Sequence, residues 1–84
     1  MSHATPAALD QLEDLLARLR TLDGLEEKKR GIFYRKTSAF LHFHEDPAGM
    51  FADVKLDGVF ARYRVSTAKE RAALVSLVAA QLRL

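Results

Sequence analysis

Leu9, Leu12, Leu15, Leu16, Leu19 and Leu22 recur every three or four residues, with Asp10, Glu13, Asp14, Arg18 and Arg20 set beside them. That spacing lays one apolar stripe along a helix whose other side is wet. Thr5-Pro6 starts it: the threonine hydroxyl satisfies a free N–H, and proline at the first helical position loses none of its own. Gly24 follows where the helix needs a residue that tolerates left-handed backbone to stop. Glu26–Arg30, reading EEKKR, carries no period and is expected to be a polar connector. From Gly31 onward the period becomes two. Four strands are predicted: Ile32–Lys36, Ala39–His44, Met50–Leu56 and Val59–Val65.

The connections read as hairpins. Thr37-Ser38 makes a tight turn. Glu45–Gly49 places Asp46-Pro47 at the start of a turn and a glycine at its end. Asp57-Gly58 between two alternating runs is the strongest short hairpin signal in the chain. Thr67-Ala68-Lys69-Glu70 is a capping box that opens a last helix, whose apolar face is Leu74, Val75, Leu77, Val78 and Leu82. The expected fold is therefore α+β, in the order α-β-β-β-β-α. It is a four-stranded antiparallel meander with two helices packed on one face, and a single domain over residues 1–84.

The turns imply a register. A Thr37-Ser38 loop pairs Arg35 with Phe40 and Phe33 with His42. A Glu45–Ala48 loop pairs His42 with Phe51 and Phe40 with Asp53. The Asp57-Gly58 turn pairs Asp53 with Arg62 and Phe51 with Arg64. One face is then almost wholly apolar and belongs to the core. It carries Ile32, Tyr34, Leu41, Phe43, Met50, Ala52, Val54, Leu56, Val59, Ala61, Tyr63 and Val65. The other carries Phe33, Arg35, Phe40, His42, His44, Phe51, Asp53, Lys55, Phe60, Arg62 and Arg64. Four phenylalanines among those charges exceed what a solvated sheet face normally holds, so something is expected to cover it.

Several chemistries fit that face. His42 and His44, two residues apart on a strand, aim their imidazoles the same way, as His-x-His pairs in metal sites do. A third ligand is lacking, with Asp53 or Glu45 as the available carboxylates, and the register carries His44 away from Asp53. No metal ligand and no cofactor is assigned on this basis. For catalysis, His42 would be the base, Asp53 its orienter and Arg62 or Arg64 an anion clamp. No nucleophile motif or glycine-rich phosphate loop accompanies them, so no catalytic residue is assigned. Aromatics beside Arg35, Lys55, Arg62 and Arg64 also suit single-stranded nucleic acid. Aromatic residues with arginine are equally the composition of protein interfaces.

Composition narrows the options. The 84 residues hold no cysteine, which removes disulfides, thiolate metal sites and cysteine nucleophiles. With 49% hydrophobic and 29% charged residues the chain is too apolar for disorder, and a formal net charge of +2 does not mark a nucleic-acid binder. No apolar run approaches the roughly 18 residues of a membrane span. The start, MSHATPAALDQ, lacks the basic-then-apolar order of a signal peptide, so a cytoplasmic location is expected. The Ala-, Leu- and Arg-rich make-up fits a bacterial genome rich in G and C.

The stretch GIFYRKTSAFLHFHEDPAGMFADVKL, followed by FARYRV and a terminal helix, resembles small uncharacterised bacterial proteins labelled "luciferase family". Their pattern of His-x-His-x-Asp, then a strand bearing Asp, matches His42, His44, Asp46 and Asp53. The label carries no implication of light emission, since a chain this short cannot form a flavin-dependent luciferase barrel. DVKL at Asp53–Leu56, between a meander and a closing helix, is also similar to the YjbR/MmcQ family, often called DNA-binding. Both resemblances run from about Leu15 onward, and both imply α+β. The chain lacks the segment that the second family carries between its third and last strands.

The reading these residues favour is a small binding or protein-interaction module. Its contact surface would be Phe33, Arg35, Phe40, His42, His44, Phe51, Asp53, Phe60, Arg62 and Arg64, with a second copy of the chain as partner. The alternatives are a small-ligand or metal-dependent enzyme centred on His42, His44 and Asp53, or a nucleic-acid-binding module on the same face.

Overall fold

The chain enters the fold as a strand. In the computed structural model, which describes residues 2–84, Ser2–His3 forms β1 and pairs with the far half of β4 (Ser38–Asp46). Thr5 then caps α1 (Pro6–Gln11), its hydroxyl accepting from the Ala8 N–H at 3.2 Å. The predicted first helix is in fact two, α1 and α2 (Glu13–Arg20). The join is at Leu12, whose N–H bonds both Ala8 O and Leu9 O. Leu9, Leu12 and Leu15 are spaced by three, which drifts around a 3.6-residue helix. The locally tighter turn keeps all three pointing inward.

The predicted connector is also a strand. β2 (Glu26–Lys29) pairs with β3 (Ile32–Arg35). Its four residues, EEKK, have no apolar alternation to betray them. Glu27 faces the helices, where it accepts from Arg20 Nε at 2.6 Å and from the Gly31 N–H at 2.8 Å. β5 (Gly49–Leu56) and β6 (Val59–Arg64) complete an antiparallel sheet of order β2-β3-β4-β5-β6, with β1 lying off this path. α3 (Ala68–Leu82) closes the chain behind the predicted capping box: Thr67 Oγ1 accepts from the Glu70 N–H, and Glu70 Oε1 accepts from the Thr67 N–H. The α+β class and the antiparallel sheet match expectation. The sheet has more strands than predicted, and three helices stand where two were expected among the described residues. None of these helices is long and apolar enough to cross a membrane.

The register differs from the predicted one in two hairpins. β3 turns into β4 through Lys36-Thr37, one residue early, pairing Arg35 with Ser38. Lys36 takes φ 58°, a left-handed conformation that costs a non-glycine residue roughly 1–2 kcal/mol. Moving the turn by one residue shifts the pairing by two, which by itself leaves each side chain on its expected face. A bulge at Phe40 then adds a residue between Ala39 and Leu41, which turns β3 over relative to the rest of β4 and sets Phe33 opposite Leu41 on the core side. Phe33 and Phe40, expected on the open face, are therefore core, at 1% and 3% exposure. Arg35 is also displaced. It lies on the helix side, donating to Gln81 O and to Leu84 O just past α3, where a cation complements the negative end of the helix.

β4 turns into β5 through Pro47-Ala48, pairing Asp46 with Gly49. Asp46 Oδ1 accepts from the Ala48 N–H at 2.8 Å and closes this turn. Gly49 sits at φ 140°, and a Cβ there would collide with Ser66 Oγ, so the position admits only glycine without rearrangement. The pairing is two residues from the expected one. A two-residue shift preserves parity, so β4 beyond its bulge and all of β5 and β6 keep their predicted faces. The core joins Leu12, Leu15, Leu16 and Leu19 to Phe33, Leu41, Phe43, Ala52, Val54, Leu74 and Val78.

Phe33→Ala removes a fully buried ring and is expected to cost about 3–4 kcal/mol in urea denaturation. Phe60→Ala, with the ring 41% exposed, is expected to cost under about 1 kcal/mol. Equal effects from the two would contradict this register.

Candidate functional site

Three cross-strand rows lie on the open face. The first runs His3, His44, Phe51, Arg64; the second His42, Asp53, Arg62; the third Lys55, Phe60. The sequence register had put Phe51 opposite His42. The shorter turn puts Asp53 there instead and slides Phe51 to His44. This is the displacement that makes a site.

Asp53 is the charge at its centre, only 7% exposed. Arg62 holds it at two points, Nε donating to Oδ1 at 2.7 Å and Nη2 to Oδ2 at 2.8 Å. This paired bond lowers the carboxyl pKa below its ordinary value, and burial, which pushes the other way, does not overcome it. The expected Asp53–Arg62 pairing across the strands is present. The expected separation of His44 from Asp53 is not. His44 Nε2 is 3.1 Å from Asp53 Oδ2, and His42 Nδ1 is 3.9 Å from the same oxygen.

The histidines also meet one another. His44 Nε2 is 2.9 Å from His42 Nδ1. An ionised Asp53 accepts only, so the network is satisfied when the proton sits on His44 Nε2 and His42 Nδ1 offers a lone pair. Burial lowers the His42 pKa, with His44, His3 and Arg62 helping and Asp53 opposing. His42 is thus a neutral imidazole at neutral pH. His44 Nδ1 is buried with no partner among the described residues, a loose end in the cluster.

His3 completes the group. Its ring stacks on His44 with centroids 4.9 Å apart and meets the His42 ring at 6.1 Å. One nitrogen from each of His3, His42 and His44 lies within 4.8 Å of the others. Sequence reasoning missed His3 because a two-residue strand shows no period, and no motif links it to residues forty positions on. The remaining predicted residues form a rim. Phe60 lies 5.0 Å from His42, Lys55 Nζ stands over the Phe60 ring at 5.4 Å, and Arg64 reaches toward Glu70 at 3.9 Å. Phe33, Phe40 and Arg35 take no part, so the aromatic array suited to nucleic acid shrinks to Phe51 and Phe60.

No protein family, curated protein or solved structure matches this chain, so the comparisons neither support nor oppose the two resemblances drawn from its sequence.

The His42 pKa, lowered from its ordinary 6.5, has a direct consequence. Below that value the unfolded chain takes up the proton more readily than the folded one, so acidification favours unfolding. The groups facing His42 are His3, His44, Asp53, Arg62 and the uncharged Phe60. Metal-free protein is expected to lose stability in urea as pH falls from about 7 to about 5, and His42→Phe should flatten that slope. A stability that rises over this range would contradict the assignment of a neutral, desolvated His42.

Proposed function

We propose that this domain binds a divalent transition-metal ion through His3, His42 and His44, beside an Asp53 held in place by Arg62. The convergence of three imidazole nitrogens within 4.8 Å, from two strands remote in sequence, carries this reading. Imidazole nitrogen suits zinc, copper and nickel. Zinc bonds nitrogen at about 2.0–2.1 Å, which sets ligand nitrogens roughly 3.4 Å apart in a tetrahedron. The His42–His44 contact at 2.9 Å then needs to open by only about half an ångström. Asp53 adds a fixed negative charge that favours a cation. Three neutral ligands leave a coordination position open, which is the arrangement of catalytic zinc sites and supports a metal-dependent enzyme as one use of the site.

A second reading is contact with another copy of the chain. Val59 and Phe60, 70% and 41% exposed on edge strand β6, favour it. One experiment separates the two. Tag-free protein, stripped with chelator, is titrated with zinc by calorimetry while its mass is followed by light scattering. One equivalent is expected to bind. His3→Ala and His44→Ala should each weaken zinc binding at least about 100-fold with the circular dichroism spectrum intact, and Asp53→Asn should weaken it roughly 10–100-fold. No zinc uptake by a stable dimer would replace the metal reading with the second one.

A further inference from the structure

We infer that a second binding site lies at the opposite end of β4 from His44, and that it takes a small organic dianion such as a phosphate monoester. A cleft of about 300 Å³ opens there between the β3–β4 and β5–β6 turns, at the small end of the range for small-molecule sites. Its wall includes Lys36, Ser38, Phe40, Lys55, Gly58 and Gln81.

Charge points to the ligand class. Arg35, Lys36 and Lys55 line the cleft, against one carboxylate, Asp57. Arg35 is committed to backbone oxygens of Gln81 and Leu84 at the C-terminal end of α3 and just beyond it. Lys36 and Lys55 form no ion pair among the described residues. Lys55 only stands over the Phe60 ring. Two lysines without an ion-pair partner lining one small cleft match an anion of charge two. Ser38 and Gln81 add hydrogen-bonding groups, and half-buried Ala39, with Phe40 behind it, gives apolar surface for an organic substituent.

Two features of the backbone converge on the same place. Lys36 and Asp57 are the non-glycine residues with positive φ, at 58° and 51°, and both line this cleft. Asp57-Gly58 is a favoured turn pair, but lysine at the Lys36 position is not, since glycine, asparagine and aspartate fit such a turn better. The chain keeps its ammonium there against local preference, as binding residues often do. The bulge at Phe40 sits beside it, re-aiming an aromatic ring next to the cleft.

The test is an NMR titration of amide shifts with chelator present, so that the histidine cluster stays metal-free. The probes are phenyl phosphate and inorganic phosphate, with sodium chloride at matched ionic strength as the control. Saturable shifts are expected at Lys36, Ser38 and Gly58, with phenyl phosphate binding more tightly than inorganic phosphate. Lys36→Gly relieves the turn, so it should raise the melting temperature while weakening phenyl phosphate binding at least about tenfold. Shifts that chloride reproduces, shifts that do not saturate, or unchanged binding by Lys36→Gly would each overturn the site.

Discussion

A buried carboxylate needs a partner, and Asp53 has one in Arg62. An ionised group this secluded persists only where hydrogen bonds replace the water it lost. The two-point contact from β6 supplies them and ties β5 to β6 on the open face. Asp53 in turn orients His44 at 3.1 Å, and His44 meets both His42 and His3. The order of dependence is thus strand pairing, then the Arg62 contact, then the carboxylate, then the histidines. Removing Arg62 would leave a buried charge to protonate or to escape, and the imidazoles would lose the acceptor that aligns them.

Much of this was legible in the residues. The Asp57-Gly58 turn and the alternation that follows it identify the β5–β6 pairing outright, including Asp53 against Arg62. The capping box marks the start of α3 to the residue. His42, His44, Phe51 and Asp53 share a face because any even shift between β4 and β5 conserves parity. The exact pairing was not legible, since Asp46 reads as a turn former. It ends the strand and closes the turn at once. β3 failed for a compound reason. A lysine occupies a left-handed turn position that composition does not flag, and the Phe40 bulge, which turns β3 over, leaves no signal in the alternation. β1 and β2 have too few apolar residues to show any period, and His3 lies on one of them.

The two ends of the sheet carry different chemistry on a shared scaffold. The histidines gather where β1 joins β4, and the lysines gather where the β3–β4 and β5–β6 turns meet. Lys55, Phe60 and His42 form a continuous line of contacts between the two regions. The edges are treated unequally as well. β2 presents Glu26, Lys28 and Lys29, charges that discourage strand addition, whereas β6 leaves Val59 and Phe60 open beside its arginines.

The pairing of β1 with β4 brings His3 beside His42 and His44, the three imidazoles we propose as ligands of one metal ion. X-ray absorption spectroscopy of protein loaded with one equivalent of zinc tests it most directly. Three imidazole nitrogens at about 2.0–2.1 Å are expected, falling to two in His3→Ala. A shell of oxygen scatterers with one imidazole or none, unchanged by His3→Ala, would contradict it.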